Sequence, residues 1–105
     1  MYARVTLFEL DTVRLPLESA LERFRTLVAP ELRRQPGYAG VYALSTAEGK
    51  GLLLSFWESE AAAQAGEATG FYDDQVAKFL LLLREPPGRS HYEVIYADVP
   101  ATAPA

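Results

Sequence analysis

The chain has 105 residues, half of them hydrophobic and 23% charged, with a net charge of −4 at pH 7 and no cysteine. That length holds a single core, the apolar fraction excludes a disordered chain, and the missing thiols exclude a disulfide, a thiolate metal site and a cysteine nucleophile. The acidic balance argues against nucleic acid as a partner, because Arg33-Arg34 and the scattered Arg23 and Arg25 read more simply as a solvated helix face.

The first residues, Met1 to Val5, lack a charged head followed by an apolar run, and no apolar segment approaches the roughly 18 residues needed to cross a bilayer. A cytoplasmic domain over residues 1–99 is therefore expected, with no membrane partner and a flexible tail over 100–105. Residues 2–10 alternate as a strand does: Ala3, Val5 and Leu7 form a purely apolar face, and Tyr2, Arg4, Thr6 and Phe8 a mixed one. The apolar face is expected to pack under helices and the mixed one to line a cavity. After a connection over 11–15, Pro16 suits an early helix position, where its missing N–H has no partner to lose.

Leu17, Ala20, Leu21, Phe24, Leu27, Val28 and Leu32 repeat at three-and-four spacing and make one continuous helical stripe. Pro30 interrupts it, so a kink or break is expected over 26–30. Gln35-Pro36-Gly37 ends the helix. Gly40–Ser45 reads as a second strand, and the turn residues Thr46–Gly51 predict a hairpin to a third, Leu52–Glu58. This third strand is apolar on both faces, with Leu52, Leu54 and Phe56 on one and Leu53, Ser55 and Trp57 on the other, so it needs cover on two sides.

Ser59 is a plausible N-cap for a short alanine-rich helix over 60–68, which Thr69-Gly70 breaks. A second segment begins at Phe71 or Tyr72, with Tyr72, Val76, Phe79, Leu80 and Leu83 as its stripe, and Leu81 and Leu82 widening it toward a partner subunit. The loop Glu85–Arg89 precedes a last strand over 91–99.

Strand, helix, strand, strand, helix, strand is the ferredoxin-like α+β plan, βαββαβ, with an antiparallel four-stranded sheet and both helices on one side. The uncovered side would be too apolar for a monomer's surface, and a homodimer closing a barrel between two sheets is expected.

On these elements, on Gln35-Pro36-Gly37-Tyr38, on Phe56-Trp57-Glu58-Ser59-Glu60 and on the split helix at Gly70-Phe71-Tyr72, residues 2–98 resemble the antibiotic biosynthesis monooxygenase-like family of dimeric α+β barrels. The resemblance implies a cofactor-free oxidation of a small aromatic or quinol-type compound, in which a base removes a substrate proton and the anion reacts with O₂. Second to it stands a non-catalytic ligand-binding or stress-related homodimer, and third a purely structural dimer whose lumen is filled by its own side chains. Haem degradation in that family uses a histidine on the helical region after the third strand, where this chain has Val76, Ala77 and Lys78, so no haem and no other cofactor is expected.

Arg4, His91 and Tyr72 are the catalytic candidates. Arg4 would stabilise an enolate or phenolate, or else form a structural ion pair with Glu93 on the neighbouring strand. His91 is the sole imidazole, suited to proton transfer near neutral pH, although a strand-end histidine is more commonly a surface residue. Tyr72, Tyr42 and Trp57 could stack on a planar ligand, with Thr6, Ser55 and Glu93 as further substrate-binding groups, or the aromatics could serve as core packing. One histidine with scattered carboxylates assembles no metal site.

Overall fold

The computed structural model describes residues 1–100; part of the expected tail, 101–105, lies outside the described residues. The elements are β1 (Tyr2–Glu9), α1 (Leu17–Arg23), α2 (Ala29–Arg33), β2 (Tyr38–Ser45), β3 (Lys50–Trp57), α3 (Glu60–Ala68), α4 (Phe71–Ala77) and β4 (Gly88–Glu93). The sheet order is β2-β3-β1-β4, with every neighbouring pair antiparallel, which is the ferredoxin-like arrangement.

Local chemistry explains the boundaries. Pro30 has no N–H to donate, and the chain ahead of it opens into a π turn over Phe24–Val28, where the Ala29 N–H reaches back five residues to the Phe24 carbonyl. The expected irregularity thus takes the form of a π turn between α1 and α2. Gly37 ends this helical segment at φ 80°, and any Cβ there would lie 2.5 Å from that of Ala62. Ser59 caps α3, its hydroxyl accepting from the Ala62 N–H at 3.1 Å. Gly70, at φ 83°, turns the chain from α3 into α4.

The two faces of the sheet are covered the opposite way round from the expectation. Register places Arg4 beside Ser55 and Thr6 beside Leu53, and these side chains meet α3 and α4. Ala3, Val5 and Leu7 lie beside Phe56, Leu54 and Leu52 on the other face, which Tyr42, Leu44 and Tyr92 extend. Among the described residues no helix covers that face, and Leu7, Tyr42, Leu44 and Tyr92 are 51%, 58%, 48% and 57% exposed. The physical reason is polar satisfaction: Arg4 finds its hydrogen-bond partners on α3, so the mixed face of β1 is the one that turns to the helices.

The core lies between the sheet and the helices. Val28, Leu32, Trp57 and Ala63 form its buried centre, with Phe24, Tyr38, Phe71 and Phe79 packed against it. The last strand is shorter than expected and begins earlier. β4 runs alongside β1, whose first paired residue is Tyr2, so after Val94 donates to the Met1 carbonyl at 3.0 Å the chain has passed the end of its partner. Ile95, Tyr96 and Val99 beyond it are exposed.

Candidate functional site

Between the covered face of the sheet and the helices lies a cavity of about 360 Å³. Arg4, Thr6 and Phe8 of β1, Ala43 and Ser45 of β2, and Leu53 and Ser55 of β3 form its floor. Leu17, Leu21, Phe24, Val28, Phe71, Tyr72, Gln75, Val76 and Phe79 form the helical wall, and Leu83 and Pro87 the rim before β4. Alternation along β1 delivers Arg4 and Thr6 to the same side, and α4 brings Tyr72 over them.

Most of this lining is hydrocarbon, and one of its polar regions is organised by hydrogen bonds. Thr6 Oγ1 and the Tyr72 hydroxyl share a hydrogen bond of 2.9 Å. Arg4 is 2% exposed. Its Nε donates to Glu67 Oε2 at 3.2 Å, its Nη2 donates to the Ala63 carbonyl, and its Cζ lies 4.7 Å from the ring centroid of Tyr72 and 5.3 Å from that of Trp57. Nη1 makes no hydrogen bond among the described residues, yet no fully buried side-chain nitrogen is left unpaired. Nη1 is therefore not sealed from solvent, and Arg4 is one of the residues that line the cavity.

Glu67, on the last turn of α3, gathers the charges behind this wall. Its Oε2 also meets His91 Nε2 at 2.5 Å, and its Oε1 lies 3.2 Å from Nε of Arg89, whose Cζ is 5.0 Å from the Tyr72 ring centroid. Burial pushes the Glu67 carboxyl up, but the His91 hydrogen bond and the charges of Arg4, His91 and Arg89 outweigh it and hold the carboxyl below its ordinary value. Two guanidinium groups thus share one carboxylate, apart from the weaker contact of Arg89 with exposed Asp73 at 3.9 Å. Arg4 and Arg89 form a cationic pole around Tyr72, with Glu67 and the exposed Asp73 as countercharges, and its guanidinium donors suit an anionic or electron-rich oxygen.

Of the residues singled out in the sequence, Arg4, Thr6, Ser55 and Tyr72 come together on the cavity wall. Trp57 does not line it: the indole is buried in the core, edge-on to Tyr38 at 5.9 Å, and its N–H donates to Ser55 Oγ at 3.1 Å. Tyr42 is on the opposite face, edge-on to Phe56 at 6.0 Å, because its register partner is Leu54 rather than Leu53. His91 and Glu93 belong to β4 and lie outside the cavity lining. Glu93 pairs in register with Tyr2, two residues from Arg4, and Glu67 takes the partnership expected of it.

Glu67, Arg89, Gln75 and Phe24 were not anticipated. Glu67 left one signal: it follows Ala63 by four residues, on the face that small residues let α3 press toward the sheet. Among the described residues no group of three or more His, Cys, Asp or Glu could hold a metal ion, and no helix is long and apolar enough to cross a membrane.

The family model for antibiotic biosynthesis monooxygenase matches residues 17–79. No curated protein matches the chain. Among solved structures, a protein of unknown function from Nitrosomonas europaea is 23% identical, with a TM-score of 0.72 over 96% of this chain and 95% of the other. A monooxygenase from Streptomyces coelicolor, in complex with the ligand nanaomycin D, is 18% identical, with a TM-score of 0.69 over 95% and 92%. SnoaB, a cofactor-independent oxygenase from Streptomyces nogalater, is 13% identical, with a TM-score of 0.70 over 91% and 94%. These likenesses establish the shared fold.

Proposed function

Since the chain belongs to the antibiotic biosynthesis monooxygenase family, we propose that it oxidises a small aromatic or quinol-type compound with O₂ in the cavity beneath its helices, in the cytoplasm and without a cofactor. The observation that carries this reading is the Arg4 guanidinium, 4.7 Å from the Tyr72 ring centroid and with no hydrogen bond to Nη1 among the described residues, on the wall of an otherwise largely apolar cavity that Tyr72 also lines. Such a cavity takes a flat hydrocarbon ring system and fixes one oxygen of it.

The chemistry follows from where charge develops. An anthrone or a related phenolic compound loses a proton to give an anion whose charge rests largely on the ring oxygen, and Arg4 and Tyr72 donate to that oxygen. Holding the charge lowers the substrate's own pKa. The carbanion form passes an electron to O₂, and the radical pair combines into a hydroperoxide. Loss of water then leaves a carbonyl where a CH₂ stood. The substrate gives up four electrons and O₂ accepts four, one oxygen atom entering the product and the other leaving as water.

No carboxylate or imidazole lines the cavity among the described residues, so the proton passes to water at the mouth rather than to His91, which is engaged with Glu67 outside. That same feature favours a second reading, a ligand-binding protein that does not turn over. Oxygen uptake with a panel of hydroquinones and anthrones separates the two. The expected result is one O₂ consumed per anthrone converted to anthraquinone; ligand binding with no uptake would leave only the binding protein.

The assembly proposed is a homodimer. The uncovered sheet face presents Ala3, Val5, Leu7, Leu44, Leu52, Leu54 and Phe56 with two tyrosines, and a second copy of the same face complements it. The apolar residues Ile95, Tyr96 and Val99 of the arm beyond β4 would then also gain cover.

A further inference from the structure

We propose that Glu67 is the positioning residue of this site: it fixes the two arginines that flank Tyr72, and thereby sets the direction in which Arg4 offers its free N–H to a ligand oxygen. This rests on the proposed function, because it concerns the same positive pole. A buried arginine has five N–H donors in a rigid fork, so fixing one side of the fork aims the other. Glu67 Oε2 holds Nε of Arg4 at 3.2 Å, the Ala63 carbonyl one turn earlier on α3 holds Nη2, and Nη1 is left with no hydrogen bond among the described residues, on a side chain that lines the cavity. Glu67 Oε1 holds Arg89 at 3.2 Å, with its guanidinium 5.0 Å from the Tyr72 ring centroid. One carboxylate on α3 therefore ties β1 and β4 to the aromatic ring of α4, without itself touching the cavity.

A positioning role and a mere countercharge predict opposite signs. If Glu67 only neutralised the arginines, Glu67→Gln would strengthen the pole and tighten an anionic ligand. If it aims Arg4, the same change weakens the anion, because an amide cannot hold two guanidinium groups as a carboxylate does. Glu67→Asp keeps the charge but withdraws it by one methylene, and a countercharge would tolerate that.

The experiment measures binding of 2-naphthoate and of neutral 2-naphthalenemethanol by fluorescence, together with ¹H–¹⁵N spectra of the arginine Nε–H groups. In the natural protein 2-naphthoate should bind more tightly than the alcohol, and the Nε–H signals of Arg4 and Arg89 should exchange slowly. In both variants the expected result is a loss of about tenfold or more in naphthoate affinity, with the alcohol within about twofold, and loss of the slow Nε–H signals. Equal or tighter naphthoate binding by Glu67→Gln, or unaltered Nε–H signals in both variants, would overturn the positioning role alone. A natural protein that shows no preference for naphthoate would refute the proposed function and this role with it.

Discussion

Arg4 and Glu67 stand 63 positions apart in sequence and meet at 3.2 Å, joining β1, one of the two inner strands of the sheet, to the last turn of α3. The pair converts a buried cation, which would otherwise be costly, into a fixed donor beside a cavity. His91 and Arg89 draw on the same carboxylate, so its ionisation bears on three groups at once.

Stability should fall in acid through this carboxyl. The folded chain holds Glu67 below its ordinary value, so the folded state binds its proton less readily than the unfolded one. The contribution is present above the ordinary carboxylate range and is lost as pH drops through the folded-state value. Urea titrations from pH 7 to pH 3 should show Glu67→Gln less stable by about 1–3 kcal/mol at neutral pH, with the gap closing in acid. A gap that stays constant with pH would count against the ion cluster.

Much of this fold was legible from local chemistry. The period of β1, the hairpin at Thr46–Gly51, the cap at Ser59 and the break at Gly70 each name their element without help from the rest of the chain. The faces were not legible, because alternation tells which residues share a side and not what covers it. Ala3, Val5 and Leu7 suit a helix layer or a second sheet equally well. The deciding contact, Arg4 with Glu67, is a long-range pairing that no spacing rule reveals, and the nearer carboxylate on β4 drew the expectation to Glu93 instead. For the same reason Tyr42 reads in sequence as a cavity residue, although its register partner Leu54 lies on the other face.

The Thr6 and Tyr72 hydroxyls should be energetically coupled. In a double-mutant cycle with Thr6→Val and Tyr72→Phe, the interaction expected from a 2.9 Å hydrogen bond is about 0.5–1.5 kcal/mol in stability. If Tyr72 also donates to the ligand oxygen, Tyr72→Phe should lower kcat/KM for anthrone oxidation by about a hundredfold, against a smaller loss for Thr6→Val. Additive stabilities would argue that the bond is not populated.

Ser55 has two neighbours to serve, the cavity and the indole of Trp57. Ser55→Ala removes the acceptor for a buried N–H at 3.1 Å and should cost about 1–3 kcal/mol, read from the shift of a chemical-denaturation midpoint. Ser55→Thr keeps the hydroxyl and should recover most of that loss. Equal destabilisation by both would point to packing rather than to the hydrogen bond.

The uncovered face should control assembly. Sedimentation of the natural chain is expected to give a dimer at micromolar concentrations, and Tyr42→Glu with Leu44→Glu to shift it to a monomer, since both side chains lie about half exposed on that face. Neither residue lines the cavity, so any loss of ligand binding in the double variant should track dissociation. A well-folded, stable monomer of the natural sequence would remove the proposed partner.

Where the ligand sits is the most direct question, and methyl-labelled Leu and Val side chains report the two faces separately. On titration with 2-naphthoate, the methyl signals of Leu17, Leu21, Val28, Leu53 and Val76 should shift, and those of Leu7, Leu44, Leu52 and Leu54 should stay in place. Shifts confined to the second group would put the ligand between subunits and contradict a binding site beneath the helices.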